Sequence, residues 1–310
     1  MRTVIFFLVV LLTGMASSAY GSPTAKLTVK VVDEQGVPIQ GAKTYISFAK
    51  PNYSGIGVAD ILKKGMSDKE GLFSSKSSTM NYIGVSAKKE GYYHSDVSYE
   101  FTSRSKLLRR WEPWNPTVEV VLKKKRNPVP MYMKGTGWIQ VPATGTSVGY
   151  DLEKGDWVTP YGKGITKDFV FIFSSDIKAY REYDLKMTLG FSNELDGIKK
   201  YLFNKEDQSY FKWPFKAPAN GYDGELVKTI HKIPGKTETN INREAKYIFR
   251  VRTITDKEGN IISANYGKVA SEFELSPEGS ECMIRFSYYF DPEGTRNLEE
   301  DPEKNLFKNK

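Results

Sequence analysis

Apolar and polar residues alternate with a period of two in segment after segment of this 310-residue chain. Leu27, Val29 and Val31 alternate with Lys26, Thr28 and Lys30. Leu185, Met187, Leu189 and Phe191 alternate with Lys186, Thr188 and Gly190. Tyr247, Phe249 and Val251 do so with Ile248, Arg250 and Arg252, and Ile284, Phe286, Tyr288 and Phe290 share one face. Period two with β-branched and aromatic residues specifies half-buried strands. Lys43–Phe48, Tyr82–Ala87, Val118–Leu122 and Phe169–Phe173 read as further strands, and residues 49–65 as an extended loop with room for one helical turn. No window of twelve residues carries a helical period, so the expected class is all-β. The 17 Phe, 5 Trp and 19 Tyr supply enough large apolar surface for substantial cores.

One local word recurs. Ser67-Asp68-Lys69-Glu70-Gly71 and Thr255-Asp256-Lys257-Glu258-Gly259 are near copies, and Val32-Asp33-Glu34-Gln35-Gly36 is a variant. Asp can accept a hydrogen bond from the backbone two residues on, and Gly takes the left-handed position that closes the turn. A calcium loop needs six or more oxygens in a defined series. Five-residue words do not supply them, so the expectation is hairpin turns.

Residues 1–22 read as a secretory signal: Arg2, the apolar run Val4–Leu12, then small residues ending in Ser17-x-Ala19. Nine apolar residues are too few to span a bilayer, which needs about 20, and no second long apolar stretch follows. The expected location is therefore secreted or periplasmic, with no transmembrane segment after signal removal. The run Lys123-Lys124-Lys125-Arg126-Asn127-Pro128-Val129-Pro130 resists helix and central strand, so residues 126–130 read as a linker. The expected organisation is a first domain over 23–125, a second over 131–290 and a polar tail over 291–310. Residues 23–129 hold 18 Lys and Arg against 10 Asp and Glu, while 130–310 hold 26 against 27. The excess positive charge of the mature chain thus lies in the first third. A solvated basic face is the common meaning of such an excess; an anionic envelope component is the sharper one. No nucleic-acid motif occurs.

The series Val29, Val31, Asp33, Gly36, Pro38-Ile39 and Gly41-Ala42, then Ser67-Asp68, Gly71 and Phe73, then Val85, Ala87, Lys89 and Gly91-Tyr92 resembles the carboxypeptidase regulatory-like domain, a transthyretin-like (prealbumin-like) β-sandwich. The resemblance covers about residues 25–124. It implies a fold, with Phe73 and Tyr92 filling the space between sheets, and no chemistry. The Tyr-Arg-Gly-Ser ending of the related hydrolases is replaced by Val120-Val121-Leu122-Lys123, and no His-x-x-Glu pair exists for a carboxypeptidase zinc. No family is recognisable in 131–310, where a second β-sandwich of jelly-roll type is expected.

Two His and one Cys leave little for metal or nucleophilic chemistry. No catalytic residue, metal ligand or cofactor is assigned, and an enzyme is the less favoured reading. Cys282 sits in a strand-like stretch and reads as a buried thiol. His94 and His231 read as ordinary structural residues. Asp151, Glu153 and Asp156 beside Trp157 and Tyr161 form the best carboxylate cluster, with a solvated loop the favoured reading. The candidate binding residues are Trp111, Trp114, Trp213 and Tyr222, aromatics in Pro-rich loops that either stack on a ligand or plug a sandwich, with packing favoured. Arg104, Lys106, Arg109 and Arg110 lie beside the first pair. The leading functional reading is an exported non-enzymatic binding or structural protein of the cell envelope, its partner a glycan or an anionic envelope component. The alternative is a carbohydrate-binding or carbohydrate-active protein with its site in the second domain.

Overall fold

A computed structural model describes residues 22–51 and 58–308. The apolar run and small residues of the signal reading, and the Asn52-Tyr53-Ser54 glycosylation sequon, lie outside them. Every regular element among the described residues is a strand. None of them is a helix long and apolar enough to cross a membrane. The chain divides into two compact units: residues to 124 together with 208–210, and 125–207 together with 211–310.

The first unit contains β1 (Thr24–Asp33), β2 (Lys43–Pro51), β3 (Val58–Met66), β4 (Leu72–Ser78), β5 (Tyr82–Lys88), β6 (Ser95–Glu100), β7 (Ser103–Ser105), β8 (Arg110–Glu112) and β9 (Thr117–Leu122). One sheet runs β3-β2-β5-β6. The other is centred on β1, which pairs antiparallel with β4 and parallel with β9, and touches β8 at Thr24↔Arg110. The alternation read from the sequence sets the inner faces. Leu27, Val29 and Val31 of β1 and Val118, Val120 and Leu122 of β9 meet Ile46 and Phe48 of β2 and Ile83, Val85 and Ala87 of β5, all buried. Phe73 and Tyr92 pack partly buried on this core. Phe73 lies so close to β3 that a Cβ at Gly65 would stand 2.1 Å from its ring.

Of the stretch expected as an extended loop with a helical turn, residues 49–51 end β2 and 58–65 belong to strand β3, the two pairing as a hairpin from Lys43↔Met66 to Pro51↔Val58; residues 52–57 lie outside the described residues. The signal of β3 is faint for a physical reason. β3 is a sheet edge whose residues 59–66 are mostly exposed, and Lys63-Lys64 faces water, as edge strands require.

The recurring turn words are built alike. Asp33 Oδ1 accepts the N–H groups of Gln35 and Val37, Asp68 Oδ1 those of Glu70 and Leu72, and Asp256 Oδ1 those of Glu258 and Asn260. Gly36, Gly71 and Gly259 close them at φ of 79°, 77° and 86°. Each Asp is a turn-builder; its oxygen is spent on backbone donors.

The second unit begins with β10 (Val129–Gly135), β11 (Ile139–Gln140), β12 (Ser147–Asp151), β13 (Asp156–Trp157), β14 (Phe169–Ala179), β15 (Glu182–Gly190) and β16 (Gly197–Tyr201). It continues with β17 (Leu226–Ile233), β18 (Lys236–Thr239), β19 (Lys246–Thr255), β20 (Ile261–Val269) and β21 (Glu274–Glu278). β22 (Glu281–Arg285), β23 (Ser287–Asp291) and β24 (Glu300–Asn305) complete it. Sheets ordered β16-β19-β20-β23-β10-β24 and β13-β12-β14-β15-β17-β18 face each other, with a small sheet β11-β22-β21 beside them. The second of these is an antiparallel meander. Phe169, Phe171 and Phe173 of β14 and Leu185, Met187 and Leu189 of β15 are buried with Phe249, Phe286, Tyr288 and Phe290. Phe169 and Phe249 meet edge to face at 5.1 Å, the geometry that ring quadrupoles favour.

Two boundaries differ from expectation. Val129 and Pro130, expected in the linker, already belong to β10. The expected polar tail is structural: β24 pairs parallel with β10, Leu298 and Glu299 are buried, and the Glu299 carboxylate accepts the N–H groups of Arg126 and Asn127. Acidic side chains on an edge strand hide such a strand from a hydrophobicity pattern, because backbone pairing rather than apolar burial holds it. Cys282 is buried, and burial pushes its thiol up to about 12, so the inert reading of this residue fits its place.

Candidate binding cleft

The residues from 101 to 111 build one side of a cleft on the first unit. β7 and β8 form a short hairpin with Arg104 opposite Trp111 and Ser105 opposite Arg110. The Ser105 hydroxyl accepts the Leu108 N–H, and Arg109 turns the chain at φ 49°. The Arg109 carbonyl then accepts the N–H of Thr24, which fixes the hairpin to the start of β1. Trp111 is held from below: its indole N–H donates to the Thr79 carbonyl at 3.0 Å, and its ring stacks on buried Phe101 at 5.9 Å. This leaves an open cleft of about 1030 Å³ with Phe101 and Trp111 as an aromatic floor, Thr79, Asn81 and Ser105 as polar lining, and Arg104, Lys106 and Arg109 on its walls. Among the described residues no carboxylate lines it, and the nearby Glu100 carboxylate accepts a hydrogen bond from lining Asn81 at 2.6 Å. Among the described residues, Arg104 and Lys106 pair with no acidic side chain. Arg104 and Lys106 on a concave rim raise the local positive potential, and the low-dielectric aromatic floor concentrates that field.

Trp114, the second candidate of this loop, is partly buried with the Arg110 guanidinium 4.8 Å over its ring. Arg110 is tied in turn to Glu112 at 2.8 Å. Trp114 is therefore capped by its own neighbour and does not line the cleft. The two candidates in the second unit are packing residues. Trp213 is only 7% exposed, stacked on Tyr201 at 5.6 Å and edge-on to Phe203 at 4.9 Å. It has no free face to offer a sugar. The Tyr222 hydroxyl donates to the Pro218 carbonyl at 2.8 Å and its ring lies under Arg250.

The acidic cluster is also spent on structure. Asp151 is 2% exposed. Its Oδ1 accepts the N–H groups of Glu153 and Lys154, and its Oδ2 those of Ile165 and Thr166. Burial pushes this carboxyl up, but the four backbone donors outweigh burial and hold it below the usual carboxylate range. Asp156 accepts the N–H groups of Trp157 and Lys163. Glu153 and Asp168 together hold Arg252, whose guanidinium forks onto both Asp168 oxygens at 2.7 and 2.9 Å. The carboxylates are tied to the backbone and to Arg252, while Lys154, Tyr161, Lys163 and Ile165 of the same stretch stay exposed, as a solvated loop requires.

Two further polar clusters escaped the sequence reading. Lys228 and Glu272, both buried, pair at 2.7 Å and share the Tyr247 hydroxyl. Lys268, fully buried, donates to the Leu298 carbonyl and to Glu300 between the rings of Phe211, Trp213 and Tyr289. The partners are 44 and 32 residues apart, so only the fold brings them together. His231 and Asp184 face each other across β15 and β17 at 2.6 Å on the surface. No group of three or more His, Cys, Asp or Glu among the described residues is placed to hold a metal ion.

No family model matches the chain, and no curated protein matches it. Among solved structures, 3-chlorocatechol 1,2-dioxygenase from Rhodococcus opacus 1CP is similar over 35% of this chain and 62% of its own, at 13% identity and TM-score 0.27. The chain thus spans less than two thirds of that protein. BcpA, the major pilin subunit of Bacillus cereus, is similar over 89% of this chain and all of its own, at 10% identity and TM-score 0.24. The shaft pilin SpaA of Lactobacillus rhamnosus GG is similar over 75% and 89%, at 10% identity and TM-score 0.23. Likenesses at these scores carry no inference about activity or partner.

Proposed function

We propose that this chain is an exported, non-enzymatic binding protein of the cell envelope. Its first unit, a sandwich of the carboxypeptidase regulatory-like type, recognises an anionic envelope component in the cleft above Trp111. Export rests on the N-terminal charge, apolar run and small residues of the sequence. The observation that carries the binding role is the cleft itself: an aromatic floor, the cations Arg104 and Lys106, and no carboxylate among its described lining residues, on the part of the chain that holds the net positive charge. Trp111 offers a partly exposed indole edge to a ring or acyl group, while Arg104 and Lys106 offer unpaired charge to carboxylate, sulfate or phosphate. The candidate aromatics of the second unit, Trp213 and Tyr222, are engaged by neighbouring side chains, which supports placing the site in the first unit.

The test is a fluorescence titration of the whole mature protein with polygalacturonate, an acidic polysaccharide, and with dextran, a neutral one. Polygalacturonate alters the tryptophan emission, the change weakens with added salt, and Trp111→Phe removes it; dextran does nothing. An equal response to both sugars, or none to polygalacturonate, overturns the proposal.

A further inference from the structure

The hairpin wall of the cleft carries a feature that soluble-anion binding does not need. Leu107 and Leu108, on the connection between β7 and β8, are 91% and 54% exposed, and Leu107 is the most exposed large apolar side chain among the described residues. Adjacent leucines in water cost free energy that a monomeric soluble fold has no reason to carry at a loop tip. Their surroundings are cationic: Arg104, Lys106, Arg109 and Arg110 lie within seven residues. The nearest acid in the hairpin, Glu112, is engaged by Arg110. Met80, 39% exposed, lines the same cleft. An apolar tip within a cationic collar matches one surface in shape and charge, an anionic lipid leaflet. There the leucines enter the acyl boundary while the cations hold headgroup phosphates. A soluble glycan would use the cations and leave the leucines idle.

We infer that the β7–β8 hairpin docks the protein on an anionic lipid leaflet, with Leu107 and Leu108 inserted at the acyl boundary and Arg104 and Lys106 on the headgroup phosphates. This rests on the anion-binding reading of the cleft and names the lipid as its partner.

The experiment is co-sedimentation of the mature protein with vesicles of phosphatidylcholine alone and of phosphatidylcholine with phosphatidylglycerol in equal parts. It runs alongside the polygalacturonate titration and a check of oligomeric state. The wild type sediments with the mixed vesicles and not with phosphatidylcholine. Leu107→Ser with Leu108→Ser weakens that partition about tenfold or more and leaves the polygalacturonate response intact. Both leucines are on the surface, so the variant keeps its melting temperature. Arg104→Glu with Lys106→Glu removes both responses. A leucine variant that sediments like wild type overturns the inference. So does wild type that binds phosphatidylcholine equally well, or a leucine variant that loses self-association while vesicle binding stands. A protein that answers polygalacturonate but not vesicles loses this inference and keeps the proposed function; one that answers neither loses both.

Discussion

Replacing Asp151 by Asn separates a structural carboxylate from a catalytic one. The wild-type side chain spends both oxygens on four backbone donors, at 2.8–2.9 Å, and so ties the turn at 153–154 to the loop at 165–166. Asn keeps one oxygen. Its amide nitrogen must then face two N–H groups, so two charge-assisted bonds are lost and two donors are stranded in a buried site. At about 1.5–3 kcal/mol for each such bond, less some relaxation, the expected cost is about 3–5 kcal/mol. That is a large part of the roughly 5–15 kcal/mol that holds an ordinary domain together. Urea denaturation measures the midpoint, and hydrogen exchange of the peptide covering 151–166 reports whether Ile165 and Thr166 lose protection first. The pH dependence has a definite sign. The folded carboxyl titrates below its ordinary 3.8. Its contribution is therefore complete above that value and is lost as pH falls through the lower folded value. The Asn variant lacks this acid-sensitive part. An Asp151→Asn protein within about 0.5 kcal/mol of wild type, with unchanged exchange, would refute the reasoning.

Other consequences follow from the same geometry. Lys228→Met strands the buried Glu272 carboxylate and costs about 3–5 kcal/mol by urea denaturation, and adding Glu272→Gln restores part of it. The His94 imidazole, packed 4.4 Å from Tyr210, is pushed below its ordinary 6.5 by burial, with Asp96 opposing and Lys88 assisting. The unfolded chain therefore binds this proton more readily. Thermal stability is full above 6.5 and declines as pH falls through the lower folded value, and His94→Gln flattens the decline. Gly71→Ala places a Cβ 2.4 Å from the Val31 carbonyl at φ 77°, whereas Gly36→Ala meets open space at φ 79°. Both pay the left-handed penalty of about 1–2 kcal/mol, and the melting temperature falls further for Gly71.

Much of the fold is legible in the residues. Where a strand buries one face, as at Leu27-Val29-Val31 or Leu185-Met187-Leu189, alternation marks it, and all three Asp-x-x-Gly words form the turns their chemistry specifies. The signal fails where burial is not what holds the strand. β3 is an exposed edge, and β24 is an acidic strand held by pairing with β10. The site divides similarly. The basic and Trp-containing stretch from 104 to 111 is local, so its cations and Trp111 are readable together. The anchoring Thr79 carbonyl and the lining Met80 and Asn81 come from the distant β4–β5 connection. A Trp-Pro pair reads the same whether its ring faces water or a core, which is why Trp213 needed Tyr201 and Phe203 in place before its role could be seen. The acids at 151, 153 and 156 likewise resemble a catalytic group until their partners, backbone N–H groups and Arg252, are located.

The central claim, that the cleft above Trp111 holds an anion, is tested most directly by calorimetric affinity for polygalacturonate across a salt series. Wild type and Arg104→Glu/Lys106→Glu are compared. The account predicts wild-type binding that weakens steadily with ionic strength, as charge pairing requires, and no binding by the charge-reversed variant with its fold intact. Equal affinity in the two proteins, or wild-type binding indifferent to salt, would contradict it.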